Sequence, residues 1–292
     1  MTSIRALTEA DVEAAGRVQV AAFDDLDRRM GEDPPPLSDE RWDRVHGRIR
    51  HFLTHDPRGS WVATSDDGEV TGVALASVRG DLWGLSLLVV QPGGQSGGAG
   101  RGLLDATLGY AAGCDRAVIL SSRDPRAVRL YATSGFDLYP QMAAEGVPDL
   151  QQLPTSASRA RPLRPGDASL LERVDQQVRR ATRGPDHELL GYNTGFVCDD
   201  DAGSGYAYVT TGGGYLTTLA ASDERTATDL LWRCLQEIGS AGSAANVTDL
   251  GANQQWAIRA TLQARLSLTP RGPVLWRGGS PPPAYLPSGA LL

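Results

Sequence analysis

Leu87-Leu88-Val89-Val90-Gln91-Pro92-Gly93-Gly94-Gln95-Ser96-Gly97-Gly98-Ala99-Gly100-Arg101-Gly102-Leu103-Leu104 is the stretch whose reading decides the fold. An apolar run stops at a proline, a glycine-crowded loop follows, and Leu103, Leu104, Thr107, Leu108 and Ala111 then recur at helical spacing. The pattern predicts strand, loop and helix in immediate succession. Glycine lets a backbone approach an anion closely, and the first N–H groups of a helix have no acceptor within it. The loop is therefore expected to cradle a diphosphate.

Upstream, Ile4 to Leu7 predicts an edge strand, and Thr8-Glu9-Ala10-Asp11 offers a capping box before Val12, Ala15, Val18, Ala22 and Phe23 at helical spacing. An acidic, proline-rich segment from Asp24 to Pro36 cannot be regular structure throughout, because its consecutive prolines remove donors and fix φ. Ser38 then caps a second helix carrying Trp42, Val45, Ile49, Phe52 and Leu53, and Asp56-Pro57 ends it. Ser60 to Thr64, Glu69 to Val78 and Leu82 to Val90 read as an antiparallel meander with glycine-bearing turns. Downstream, Arg116 to Ser121 is a buried strand. Asp124-Pro125 starts a helix with both a cap and an N1 proline, Gly135 ends it, and Phe136 to Tyr139 returns as a strand.

Composition narrows the function classes. The net charge of -7 leaves no basic stripe for nucleic acid. All 28 basic residues are arginine, which removes Schiff-base chemistry on lysine. Cys114, Cys198 and Cys234 are odd in number and far apart, and His46, His51, His55 and His187 show no metal spacing, so neither a disulfide framework nor a metal site is expected. No apolar run approaches the roughly 20 residues of a membrane helix, and the first residues lack the features of a signal peptide. The expectation is a cytoplasmic protein with no membrane partner, as a monomer or homodimer.

The order β-α-α-β-β-β-loop-α-β-α-β, together with two motifs, resembles the GNAT N-acetyltransferases. Gln95-Ser96-Gly97-Gly98-Ala99-Gly100 fits that superfamily's Q/R-x-x-G-x-G/A acyl-CoA signature. Asp124 through Phe136 is similar to its second signature, N-x-x-A-x-x-x-Y-x-x-x-G-F. The resemblance implies acetyl-CoA as acyl donor and a small-molecule amine as acceptor, with no metal. It implies that Gln95, Ser96, Gly97, Gly98, Ala99, Gly100, Arg101 and Gly102 hold the diphosphate, and that Leu88, Val89 and Val90 pair with pantetheine. Tyr131 is implied as general acid. Asp124 stands where relatives carry asparagine, so a donor contact there loses its amide N–H. The strand Leu82 to Val90 lacks the glutamate many relatives use as base. Asp81, Ser86, Ser122, Tyr139 and the Asp24 to Asp33 segment stay open for that role.

Beyond Pro154-Thr155-Ser156-Ala157-Ser158, which reads as a linker, the chain begins again. Arg161, Leu163 and Asp167 echo Arg5, Leu7 and Asp11, while Ala257, Arg259, Leu266 and Leu268 echo Ala127, Arg129, Phe136 and Leu138. At the loop position stands the glycine-free Ser222 to Asp229, and Thr261 stands at the position of Tyr131. The predicted fold class is α/β (α+β): two tandem GNAT-like domains, 1–157 and 158–292. Each is a mixed, mostly antiparallel twisted sheet flanked by helices, the second degenerate and without a donor site. Its proline-rich tail, Pro281 to Leu292, carries Tyr285 and Leu286 and is expected to dock. A non-catalytic acyl-CoA sensor is the alternative reading.

Overall fold

The computed structural model describes residues 2–94 and 98–292. Two compact units arise, one running to Ile119 and including Leu292, the other spanning Leu120–Leu291.

In the first unit β1 (Ser3–Ala6) leads to α1 (Val12–Met30) and α2 (Asp39–His55). Then follow β2 (Ser60–Thr64), β3 (Val70–Arg79), β4 (Leu82–Val90), α3 (Ala99–Tyr110) and β5 (Arg116–Leu120). The strands lie in the order β1-β2-β3-β4-β5, antiparallel as far as β4, with β5 parallel to β4. Gly80, at a φ of 61°, makes the two-residue connection of β3 to β4 possible. Ser38 caps α2 as expected, accepting from the Arg41 N–H at 3.2 Å.

The acidic segment is regular only in its first part: α1 continues through Asp24 to Met30 and stops at Gly31, whose φ is 78°, and residues 32–38, with the three prolines, form neither helix nor strand. Asp25 and Arg29 pair one turn apart at 2.9 Å, and Arg41 reaches Asp24 at 2.7 Å, so the charges support the helix.

Asp56 ties three elements of this unit together. Fully buried, it accepts two bonds from Arg79 at 2.9 Å, one from the Val78 N–H and one from the Tyr110 hydroxyl, both at 3.1 Å. The end of α2, the end of β3 and the last turn of α3 thus share one carboxylate. Asp56→Ala leaves Arg79 buried without its counter-charge and is expected to cost about 3–5 kcal/mol in urea unfolding.

The second unit contains α4 (Pro125–Ala132) and β6 (Asp137–Gly146), then β7 (Arg161–Pro162), α5 (Ala168–Arg179) and α6 (Asp186–Leu190). β8 (Thr194–Asp200), β9 (Gly203–Val209), β10 (Leu216–Ala221), α7 (Glu224–Ser240), β11 (Ala245–Leu250), α8 (Gln255–Gln263), β12 (Ser267–Arg277) and β13 (Tyr285–Leu286) complete it. From β7 to β12 the order reproduces that from β1 to β6. The repeat extends to single bonds. Arg5 grips Asp11 with two bonds of 2.8 and 2.7 Å, and Arg161 grips Asp167 with two of 2.8 and 2.7 Å. Each carboxylate also accepts the N–H at the start of a one-turn 3₁₀ helix, from Thr8 at 2.9 Å and from Arg164 at 2.8 Å. In β4 the pairing with β3 slips at Ser86, and in β10 the pairing with β9 slips at Thr217. Both bulges stand four residues before the strand's last residue.

One sheet of this unit runs β13-β10-β9-β8-β7. In the other ladder β6 is flanked by β12 and β11, antiparallel to both. β6 closes the first copy in sequence yet pairs with strands of the second, which is why the compact units part at Ile119/Leu120. The expected division at 157/158 rests on the repeat itself. The segment read as a linker is ordered: Thr155–Arg159 forms a 3₁₀ helix, Ala157 is buried, and Arg159 pairs with Asp200 and Asp229, each at 2.6 Å. Small residues let it pack flat against α7.

The bond from Arg5 holds the Asp11 carboxyl well below the usual carboxylate range, outweighing its burial, with Thr8 assisting. The charged form is thus favoured in the folded chain. Its stabilisation is complete above the ordinary carboxyl pKa near 4 and is lost as pH falls through the lowered folded value. Asp11→Asn is expected to cost about 1–2 kcal/mol at pH 7, and denaturation at a series of acidic pH values should show the gap to the unsubstituted chain closing.

Candidate functional site

The end of β4 and the start of α3 are organised differently from the corresponding parts of the second copy. β4 and β5 pair from Leu82 to Leu85, opposite Arg116 to Ile119, and the ladder between them goes no further among the described residues. The bulge at Ser86 increases the local twist and turns the strand end away from β5. Leu88, Val89 and Val90 remain in register with Ala74, Val73 and Gly72 of β3.

Eight residues then separate Val90 from Ala99. Gln95, Ser96 and Gly97 lie outside the described residues. Gly98 occupies the N-cap of α3 with a φ of 81°, and among the described residues no side chain caps the helix there. A side chain at that φ is strained, and the start of α3 has no Asp, Ser or Thr to satisfy its first N–H groups. Ala99 and Leu103 anchor this first turn in an apolar cluster with Val90, Ala63 and Ala74. Ala99, Gly100, Arg101 and Gly102 form the turn itself, with the Gly102 N–H reaching the Gly98 carbonyl at 3.0 Å. An uncapped helix start beside a departing strand is chemically a place for an anion followed by an extended chain with amides.

The second copy keeps the bulge, at Thr217, but lacks the long connection and the glycine N-cap. Only Ser222 and Asp223 connect β10 to α7. Asp223 caps α7, accepting from the Thr226 N–H at 2.8 Å and the Thr226 hydroxyl at 2.9 Å. The anion position is therefore filled by the chain's own carboxylate.

Asp124 and Tyr131 both stand on α4. Asp124 is the N-cap, accepting from the Arg126 N–H at 2.9 Å, and it also receives the Arg126 guanidinium at 2.7 Å. Its oxygens are thus committed to the helix start, the job that a cap asparagine would also do. Tyr131 is buried, and its carbonyl accepts the Ser134 and Phe136 N–H groups where Gly135 turns the chain. Burial first, and the negative charge of Asp124 second, push the Tyr131 hydroxyl upward from its ordinary pKa, so it stays protonated across the physiological range. Thr261, at the same place in α8, donates back to the Ala257 and Ile258 carbonyls at 3.0 Å. No comparable proton donor is left there.

Of the positions considered for a general base, Asp81 is engaged in two bonds from Arg116, at 3.0 and 2.5 Å. The Ser122 hydroxyl accepts the Asp124 N–H at 3.3 Å. Ser86 is the bulged residue of β4, a place that strand periodicity alone does not mark. Among the described residues no group of three or more His, Cys, Asp or Glu side chains is placed to hold a metal ion, and no helix is long and apolar enough to cross a membrane. Cys198 and Cys234 are buried, and Cys114 is half-buried.

Residues 22–136 match the acetyltransferase (GNAT) family, and that segment carries a GNAT acetyltransferase domain. It takes in β4, the glycine loop, α3 and α4. Acetyl transfer from acetyl-CoA is the activity of this family. The fold is similar along its whole length to a candidate acetyltransferase from Pyrococcus horikoshii, with a TM-score of 0.76 at 16% identity over 100% of this chain and 96% of that one. It is also similar to GCN5-related N-acetyltransferases from Sphaerobacter thermophilus and Anabaena variabilis. The first gives a TM-score of 0.58 at 16% identity, over 96% of this chain and 97% of that one. The second gives 0.60 at 14% identity, over 95% and 72%. At these identities the likeness is one of fold. No curated protein matches the chain in sequence.

Because Gly98 holds a left-handed conformation, Gly98→Ala is expected to lower stability by about 1 kcal/mol, read as a fall in the thermal midpoint.

Proposed function

We propose that the chain moves an acetyl group from acetyl-CoA to the amine of a small molecule by direct attack, with one donor site, at the end of β4 and the start of α3. The observation that carries this reading is the uncapped N-terminus of α3 at Gly98, beside a strand end that has parted from β5. The backbone N–H groups of Gly98, Ala99, Gly100 and Arg101, with Gln95, Ser96 and Gly97 before them in sequence, receive the diphosphate, whereas the Gly102 N–H, expected to join them, is already bonded to the Gly98 carbonyl. Leu88, Val89 and Val90 pair with the pantetheine amides as an added strand would. Asp124 sets the start of α4 through its cap and so positions Tyr131 two turns on.

In the reaction the amine nitrogen forms a bond to the thioester carbon, and the carbon–sulfur bond then breaks. The departing thiolate takes the proton of the Tyr131 hydroxyl, while the attacking nitrogen loses a proton to a base. A tyrosine kept protonated by burial suits the acid role, because it holds its proton until a thiolate forms beside it. The second copy, with Asp223 at the anion position and Thr261 in place of the acid, contributes structure.

Thiol release from acetyl-CoA over a panel of small amines tests the proposal. Turnover should appear with at least one amine, and Tyr131→Phe should lower kcat by about 10²-fold or more while calorimetry shows acetyl-CoA binding retained. Tight acetyl-CoA binding without turnover on any amine would instead make the chain a donor-binding sensor.

A further inference from the structure

The second copy keeps the strand that, in the first, is read as the donor's edge. The bulges at Ser86 and Thr217 align β4 with β10 residue by residue, so that Leu88, Val89 and Val90 correspond to Leu219, Ala220 and Ala221. These last three residues of β10 are taken up by the C-terminal tail. Leu286 pairs with Leu219 and Tyr285 with Ala220, antiparallel, and the Ala221 N–H reaches the Ala284 carbonyl at 3.0 Å.

The other wall is α8, the counterpart of α4. Around its start three successive tail carbonyls are held by side chains. Asn253 donates to Pro281 at 3.2 Å, Gln254 to Pro282 at 2.8 Å, and the Trp256 indole to Pro283 at 2.8 Å. Prolines have no N–H to satisfy, so a run of them presents a line of acceptors only. Ala284 and Leu286 enter the apolar core of the unit. Beyond them a buried cation locks the tail. Arg183, with no exposed surface, donates to the Tyr285 hydroxyl at 2.7 Å and to the Leu291 carbonyl at 3.3 Å. Thr218 holds the Leu286 carbonyl at 2.9 Å.

We infer that the tail, Pro281–Leu286, is a built-in substitute for pantetheine: it lies between β10 and α8, along the strand end that corresponds to Leu88–Val90 of β4, and closes the second copy to acyl-CoA. The inference rests on the reading of β4 and α3 as the donor site. It adds that the second copy lost its donor by acquiring a resident occupant as well as by losing its glycine loop. A bare strand edge in an apolar groove exposes unsatisfied N–H and C=O groups, and the tail satisfies them permanently.

Amide hydrogen exchange on the full chain, read by mass spectrometry with and without saturating acetyl-CoA, tests this. In the free protein, peptides covering 216–223 and 281–287 should already exchange slowly, and acetyl-CoA should leave both unchanged while slowing the peptide over 86–92. Calorimetry should give one acetyl-CoA per chain. Leu286→Asp, which puts a carboxylate into the core, should speed exchange of 216–223 by about tenfold or more. Trp256→Phe, which removes only the indole bond, should speed 281–287 even if Leu286→Asp fails to fold. Fast exchange of the tail in the free chain, its release on adding acetyl-CoA, or two donors per chain would overturn the inference. Absence of any slowing at 86–92 would refute the donor site of the first copy, and the free-chain exchange would still decide whether the tail is resident.

Discussion

A strand edge must find hydrogen-bond partners, and the organisation of this chain follows from how that demand is met at two corresponding edges. In both copies a bulge four residues before the end of a central strand interrupts its antiparallel pairing. In the second copy the chain's own tail fills the opening. In the first, the strand leads into an uncapped helix N-terminus. The same backbone device thus precedes a strand end covered by the tail in one place and the strand end proposed as the donor site in the other.

The two copies also share a stabilising device, the arginine–aspartate clasp over a 3₁₀ turn, with bond lengths that agree to within 0.1 Å. Its repetition ties each edge strand to the first helix of its copy. Divergence between the copies is concentrated where the donor chemistry is read. Gly98 corresponds to Asp223, and Tyr131 to Thr261, whose hydroxyl is turned into its own helix.

Much of this was legible from residues alone, for identifiable reasons. Strands Ser60–Thr64 and Leu82–Val90 stand where alternation and turn glycines put them, and α4 starts at the Asp124-Pro125 signal. Local rules decide such elements. Within the acidic segment the prolines mark where regular structure stops, but how far α1 runs before them, to Met30, depends on pairs such as Asp25–Arg29 and Asp24–Arg41. The stretch Pro154–Ser158 looked like a linker because small polar residues carry no periodicity, yet Ala157 is buried. Nothing in the sequence announced that Arg183 would be buried against Tyr285, since the two lie 102 positions apart.

The sequence by itself determined the GNAT signature within residues 22–136 and the helix start at Asp124, and it pointed to a second run of the same elements, because these rest on residue identity and short spacings. Only the tertiary structure decided that β6 pairs with β11 and β12, where the compact units divide, and that the tail lies along β10. Strand pairing is chosen by which edges are open and which faces are apolar once the elements have assembled, and that choice is made between residues far apart in the chain.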